Sequence, residues 1–347
     1  MRFSHFLSSY YPDTTYPAKA LFDDMLEQAR VAEALGYAGV TIPEHHFVNV
    51  LLNPAPLQMA VKVAAETRRI DITTAVLVLP YYDVRRLAGE IAVADILSDG
   101  RLTFGLGRGA FRYEFERFGV AVEDSRAKFD ESLEVLQALL SETDVSWNGR
   151  HYTFAPLTIM PRPLTQPMPR MMIAALAPDA IYHCARRGFD VQTTPLRGPK
   201  ALLNQQAEAF TRGAAERGGS TRTQRLSVLR VGFVASNEGD VRRLQELAYD
   251  YFKRFENVFT GPGLVAGGSI APLPLKQSVE ELADNLLIGT AEQVVDKLAS
   301  YQALGIDEVN LNFNIGASQR ETIEAMHRFA DDVMPRFKSV QKVEAAA

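Results

Sequence analysis

Ile70-Asp71-Ile72-Thr73-Thr74-Ala75-Val76-Leu77-Val78-Leu79 reads as one buried strand, a nearly continuous run of β-branched and aliphatic residues bounded on both sides by helical patterns. Downstream, residues 83–97 carry a helical period, Ser98-Asp99-Gly100 makes a turn, and 101–107 is extended again. Upstream, 56–69 reads as a helix and Ala38 to Ile42 as a strand. Before that strand, Ala18 to Leu35 places Leu21, Met25, Ala29, Ala32 and Leu35 on one helical face, and Gly36 ends the helix where a left-handed cap is wanted. Arg2 to Leu7 alternates as the first strand. Four βα units therefore fill the first ~140 residues.

The rhythm then breaks. Trp147-Asn148-Gly149-Arg150-His151-Tyr152 has the look of a hairpin turn, and Pro156, Pro161, Pro163, Pro167 and Pro169 follow where no helix can persist. Arg170–Ala174 resumes the pattern as a strand. A helix near 178–188, a strand at 189–194, a helix at 199–217, a strand at 226–235 and a helix at 239–257 continue it. Thr260 to Pro274, with four glycines and three prolines, has no period and suits a mobile lid that decides substrate choice. Thr290-Ala291-Glu292-Gln293 opens another helix, Glu308 to Phe313 forms the last strand, and 318–333 closes the chain. Eight strands, each followed by enough chain for a right-handed crossover, make an α/β (β/α)8 TIM barrel the economical architecture. A doubly wound sheet is the rival, but the unit spacing runs on past residue 300 and no shift in composition marks a second domain. We expect a single domain over 1–347, with insertions at about 144–169 and 258–285.

The chain has 347 residues, of which 47% are hydrophobic and 23% charged, so it can bury a large core and is neither disordered nor fibrous. A net charge of −5, mixed along the chain, leaves no footprint for nucleic acid. One cysteine, Cys184, forms no internal disulfide and no zinc cluster, which fits a reducing compartment and a cytoplasmic enzyme. No apolar run is long enough to span a bilayer, and the start Met1-Arg2-Phe3-Ser4-His5 turns polar before a signal core forms.

In a barrel, reactive groups sit at the C-terminal ends of strands. Glu44-His45-His46-Phe47 lies there, after the second strand. Adjacent side chains of an extended segment diverge, which argues against both histidines holding one metal ion. Two readings remain: a histidine satisfying a strand end, or one imidazole acting as a general base near neutrality. Phe104-Gly105-Leu106-Gly107-Arg108-Gly109-Ala110 ends the fourth strand, and three readings stay open for it. Its glycines and Arg108 suit a phosphate, its Gly-x-Gly-x-x-Ala spacing weakly matches a dinucleotide fingerprint, and it also serves as a plain turn. No Gly-x-Ser-x-Gly marks a serine hydrolase.

These residues resemble the bacterial luciferase-like, flavin-dependent monooxygenases. Four stretches carry the likeness: Met1 to Leu7, Pro43-Glu44-His45-His46-Phe47, the run from Asp99-Gly100-Arg101 through Gly109 to Phe118-Gly119, and Asp332-Val333-Met334-Pro335. The resemblance implies a (β/α)8 barrel that binds reduced FMN, reacts it with O2 through a C4a-(hydro)peroxyflavin, and inserts one oxygen atom into a small organic substrate. His45 falls on the family's active-site histidine and Glu114 on a nearby acidic position. Arg108 and Arg126 match arginines on the flavin phosphate, and Gly107 stands where luciferase has a reactive cysteine, leaving space. The Ala75–Val76 bond matches a cis peptide against the flavin ring. After the fifth strand this chain reads Ala174-Ala175-Leu176-Ala177-Pro178, without the hydroxyl residue common in the family, so Leu176 and Ala177 offer backbone contacts only. Modest FMN affinity would suit an enzyme supplied by a separate NAD(P)H-dependent flavin reductase. The resemblance also implies a homodimer or luciferase-like heterodimer through helices of the first half. The alternatives are an F420-dependent oxidoreductase on the same barrel and a non-catalytic flavin-binding partner subunit.

Overall fold

The computed structural model describes residues 1–218, 224–259 and 261–337. Within them eight parallel strands close into a ring. Strand β1 (Arg2–Phe6) pairs with β2 (Gly39–Ile42), then come β3 (Asp71–Thr74), β4 (Leu102–Gly107), β5 (Met171–Ala174), β6 (Asp190–Thr193), β7 (Leu226–Val234) and β8 (Glu308–Asn312), which returns to β1. Ser4 of β1 sits opposite Gly39 on one side and Asn310 on the other, so the register is continuous where the ring closes. The helices are α1 (Ala18–Leu35), α2 (Pro56–Glu66), α3 (Val84–Leu97), α4 (Ser125–Ser141), α5 (Pro178–Arg186), α6 (Lys200–Glu216), α7 (Glu238–Phe259), α8 (Ala291–Ala303) and α9 (Gln319–Arg328). The expected (β/α)8 barrel is the observed fold. No helix among the described residues is long and apolar enough to cross a membrane.

Local chemistry accounts for the boundaries. Gly36 takes φ +81° and its N–H closes on the Ala32 and Glu33 carbonyls, which turns the chain from α1 into β2. Thr290 and Gln293 form the reciprocal capping box that starts α8. The hairpin read at 147–152 is present, Val145–Asn148 pairing antiparallel with Thr153–Leu157. Among the elements that escaped the sequence are the short helices Arg112–Arg117 and Val279–Asp284 and the strand Leu287–Gly289, a further parallel strand outside the ring, paired with Gly232–Val234. Strand β7 is nine residues long and outruns its ring neighbours, so its end is free to take a three-residue partner too short to show a period.

Period-two alternation decides what fills the barrel. On β1, Phe3 and His5 face the helices, Phe3 meeting Phe329 and Phe337 edge-on, while Ser4 and Phe6 face inward. The N-terminal half of the interior is plugged by polar contacts. Arg2 pairs with Asp71 at 2.5 Å, Ser4 donates to Glu308 at 2.9 Å, and Asn310 donates to Thr41 at 2.6 Å. With that end closed, open space is left at the C-terminal ends of the strands.

Candidate active site

A cavity of about 840 Å3 occupies that C-terminal end, a volume in the range of small-molecule and cofactor sites. Every residue singled out from the sequence reaches it. His45, Ala75, Gly107, Arg108, Glu114, Arg126, Leu176 and Ala177 all line the one space, contributed by the segments after β2, β3, β4 and β5.

Two imidazoles and two buried carboxylates interleave on one wall. Glu114, on the short helix Arg112–Arg117, is 1% exposed. Its Oε1 accepts from His45 Nδ1 at 3.0 Å and from the His46 backbone N–H at 2.7 Å, and Tyr81 donates to Oε2 at 3.4 Å. A carboxylate only accepts, so the proton of a neutral His45 lies on Nδ1 and its Nε2 keeps the lone pair. The His45 ring is clamped by Phe111, stacked at 4.1 Å and 18°. His46 turns the other way: its Nε2 bonds Glu44 Oε1 at 2.7 Å, and Glu44 Oε2 accepts from the Val78 N–H at 2.9 Å. The divergence expected of neighbouring side chains is what separates the histidines, and no group suited to a metal ion occurs among the described residues. Burial and the charges of Glu114 and Glu44 push the Tyr81 phenol far above its usual pKa, so it stays a donor.

The glycines of β4 do something other than cradle an anion. A Cβ on Gly105 would sit 1.9 Å from the Thr74 carbonyl, and one on Gly107 would sit 2.5 Å from Val76 Cγ2. They let β4 close onto the Thr74–Val76 backbone, where the Ala75–Val76 peptide is cis as the family resemblance implied. The expectation that Gly107 leaves space is therefore corrected: Val76 fills it. The dinucleotide reading also falls, since Gly105 and Gly107 lie inside β4 and do not open a helix.

At the opposite end the cavity is cationic. Arg108 is exposed and has no hydrogen-bond or ion-pair partner among the described residues, and Arg126 pairs with Asp130 at 3.0 Å. Both line the cavity together with the start of α5, where Ala177 caps without a side-chain bond and Pro178 has no N–H, leaving the Asp179 and Ala180 amides. Cys184 is half-buried and also lines the cavity, as does His183.

The lid reading of Thr260 to Pro274 does not hold. Thr260 lies outside the described residues. The remainder is tied down: Asn257 bonds the Leu264 N–H and the Leu264 and Ala271 carbonyls, and Asn49 accepts from the Ile270 N–H at 3.0 Å. The segment forms a small hairpin, Val265–Ala266 with Ser269–Ile270, and none of its described residues lines the cavity. The apolar wall comes from α7, through Tyr251, Phe252, Phe255 and Phe259, with Phe255 stacked on Phe259 at 5.4 Å. Sequence reasoning also missed Gln192 on β6, which is 6% exposed, lines the cavity and has an unpartnered Nε2. A glutamine inside a strand buried at every position was the available signal.

The sequence profile of luciferase-like monooxygenases matches residues 1–308. The chain belongs to the luciferase-like monooxygenase family. It is 30% identical to the oxygenase component of the flavin-dependent trigonelline monooxygenase of Acinetobacter baylyi, over 99% of this chain and 97% of that one. Among solved structures, the monooxygenase RslO1 of Streptomyces bottropensis superposes with a TM-score of 0.86 at 25% identity, covering 97% of this chain and all of that one. The oxygenating constituent of 3,6-diketocamphane monooxygenase from Pseudomonas putida, in complex with FMN, shares the fold with a TM-score of 0.80 at 18% identity, covering 96% and 98%. This luciferase-like chain is thus an enzyme of the monooxygenase class, and its barrel is the family's.

Proposed function

We propose that the chain is the oxygenase component of a two-component system, using reduced FMN and O2 to insert one oxygen atom into a small organic substrate, with a separate NAD(P)H-dependent reductase supplying the flavin. One observation carries the reading: the His45–Glu114 pair and the unpartnered Arg108 share a single cavity of cofactor size. Bound reduced FMN supplies the two electrons with which O2 gives up one atom to the substrate and leaves the other as water.

The residues present fit that group. Arg108 and Arg126 would hold the phosphate, helped by the amides at the start of α5, while Ala75, Gly107, Leu176 and Ala177, which line the same cavity, would border the ring. His45 accepts a proton at Nε2 as Glu114 and Phe111 hold its ring in place. The aromatic face of α7 excludes water and favours apolar substrates. Asp179, an exposed carboxylate in the first turn of α5, competes with an anion there, in keeping with a flavin that is borrowed and returned. The exposed apolar side chains Val93, Ile96 and Leu97 on α3 mark the face through which we infer that two chains pair, the whole chain acting as one domain.

Mixing the protein with chemically reduced FMN under anaerobic conditions and then with oxygenated buffer tests the reading. Saturable binding of reduced FMN and oxygenated product from aldehyde, ketone or aromatic candidates are expected. Hydride transfer from reduced F420 with no oxygen dependence would overturn it in favour of the deazaflavin reading. Flavin binding without oxygenated product or hydride transfer would leave a non-catalytic flavin-binding partner subunit.

A further inference from the structure

Alternation along β7 sends Leu229 and Val231 into the active-site cavity and Arg230 the opposite way, into a separate cavity of about 320 Å3 bounded by β7, the N-terminal end of α6 and α8. Arg230 is 3% exposed. Its Nη1 donates to the Leu196 carbonyl at 2.9 Å, its Nε is buried without a partner, and no carboxylate pairs with it among the described residues. A guanidinium taken out of water with most of its donors unused is costly unless something anionic completes it.

Two further features converge on the same space. Lys297 of α8 lines it, donating to the Ala283 and Leu286 carbonyls at 2.9 and 2.7 Å and so retaining one free N–H. Burial lowers the Lys297 pKa, Asp284 pulls it partly back, and the neighbouring Arg230 charge lowers it further. The seventeen-residue helix α6 begins at the cavity with Lys200, after Pro199, with no side-chain cap and no acidic residue in its first turn. Of its first-turn amides, Leu202 donates to the Pro199 carbonyl at 2.9 Å, which leaves those of Lys200 and Ala201, with the positive dipole end, unanswered among the described residues. Asp284 and Asp296 also line the cavity, but both are exposed and neither pairs with Arg230 or Lys297.

We propose that this second cavity binds a small tetrahedral oxyanion of phosphate size, held by Arg230, Lys297 and the Lys200 and Ala201 amides at the start of α6, with the Lys200 side chain at its mouth. A planar fork, a point charge and backbone N–H groups are the donor set that phosphate oxygens take. The site does not depend on what the larger cavity holds.

Isothermal titration with sodium phosphate, against sodium chloride at matched ionic strength, tests it in an Arg108→Ala/Arg126→Ala background that removes the arginines of the larger cavity. One saturable site with a Kd of about 1 mM or tighter is expected. Lys297→Gln and Arg230→Gln should each weaken it at least tenfold, and Lys200→Ala, an exposed substitution harmless to folding, several-fold. Circular dichroism checks that each variant folds; if Arg230→Gln does not, Lys297→Gln and Lys200→Ala decide. No saturable phosphate binding in the double-alanine background, or undiminished affinity in folded Lys297→Gln, overturns the proposal.

Discussion

Lowering the pH should unfold this barrel in part through one residue far from the active site. His5 is fully buried on the helix-facing side of β1, its ring stacked against Phe313 at 5.7 Å. Gln28 Nε2 donates to Gln319 Oε1 at 2.7 Å, which turns the Gln28 oxygen toward His5, so His5 Nε2 carries the proton of their 2.9 Å bond. Nδ1 is left bare and unpartnered. A second proton would arrive there with nothing to accept it and no water to solvate it. Burial accordingly lowers the His5 pKa from 6.5 to about 4, with the Gln28 bond opposing weakly. Between those values the unfolded chain binds a proton that the folded chain refuses, so His5's contribution is complete above pH 6.5, is lost as the pH falls, and levels off below about 4. At ~1.4 kcal/mol per pH unit the gap amounts to about 3 kcal/mol. Urea unfolding followed by circular dichroism at pH 7.5 and pH 4, on wild type and His5→Phe, isolates the effect. Phenylalanine keeps the stacking and leaves Gln28 Oε1 unpaired, a cost of roughly 1–3 kcal/mol that does not vary with pH. The variant should be less stable at pH 7.5 yet lose about 3 kcal/mol less on acidification. Equal acid losses in the two proteins would refute the reasoning.

His45→Ala should cut oxygenation by about 10^2- to 10^4-fold while leaving the FMN dissociation constant nearly unchanged, and undiminished turnover would remove His45 from the mechanism. Gly107→Ala forces a Cβ to within 2.5 Å of Val76 Cγ2, so thermal melts should show a loss of about 1–3 kcal/mol and flavin titrations a weaker complex. If neither moves, the Val76 wall yields freely. Phe259→Ala strips the ring stacked on Phe255 and edge-on to Phe111, and KM for an apolar substrate should rise roughly tenfold for each ~1.4 kcal/mol of binding energy removed, kcat holding. Leu97→Glu places a charge at a side chain 57% exposed; light scattering should show monomers with stability unchanged within about 0.5 kcal/mol, and a persistent dimer would place the interface elsewhere.

The barrel was legible because its strands are buried on both faces and its helices are amphipathic, two signals that survive in a single sequence. Phe104 to Gly107 announces itself as a strand whatever it packs against, whereas the run from Ile70 to Leu79, read as one strand, is broken in the structure: Asp71–Thr74 is the ring strand, the Ala75–Val76 peptide is cis, Leu77–Val78 pairs again and Leu79 begins a 3-10 turn. Thr260 to Pro274 shows where such reading ends. Glycine and proline content reports that no helix or strand period is present, but rigidity there comes from Asn257 and Asn49, whose amides reach the segment only after folding. Polar residues outside a loop decide whether it moves, and its own composition does not record them.

The same limit applies inside the site, in a more instructive form. His45 and Glu114 are 69 residues apart, and nothing in either neighbourhood pairs them; the contact exists because β2 and β4 flank β3 in a closed ring. Gly107 was visible as an absent side chain, and an absence reads naturally as room for a ligand. In the folded chain a strand glycine instead measures how near the next backbone comes, and here the neighbour is Val76, which belongs to the Ala75–Val76 segment that lines the cavity. Gln192 is the converse case. A polar residue in a strand otherwise fully buried has to be either paired or waiting, and its free Nε2 shows that it is waiting, on the wall of the same cavity. A glutamine inside a buried strand thus points toward the cavity wall here, provided the strand around it has been recognised first.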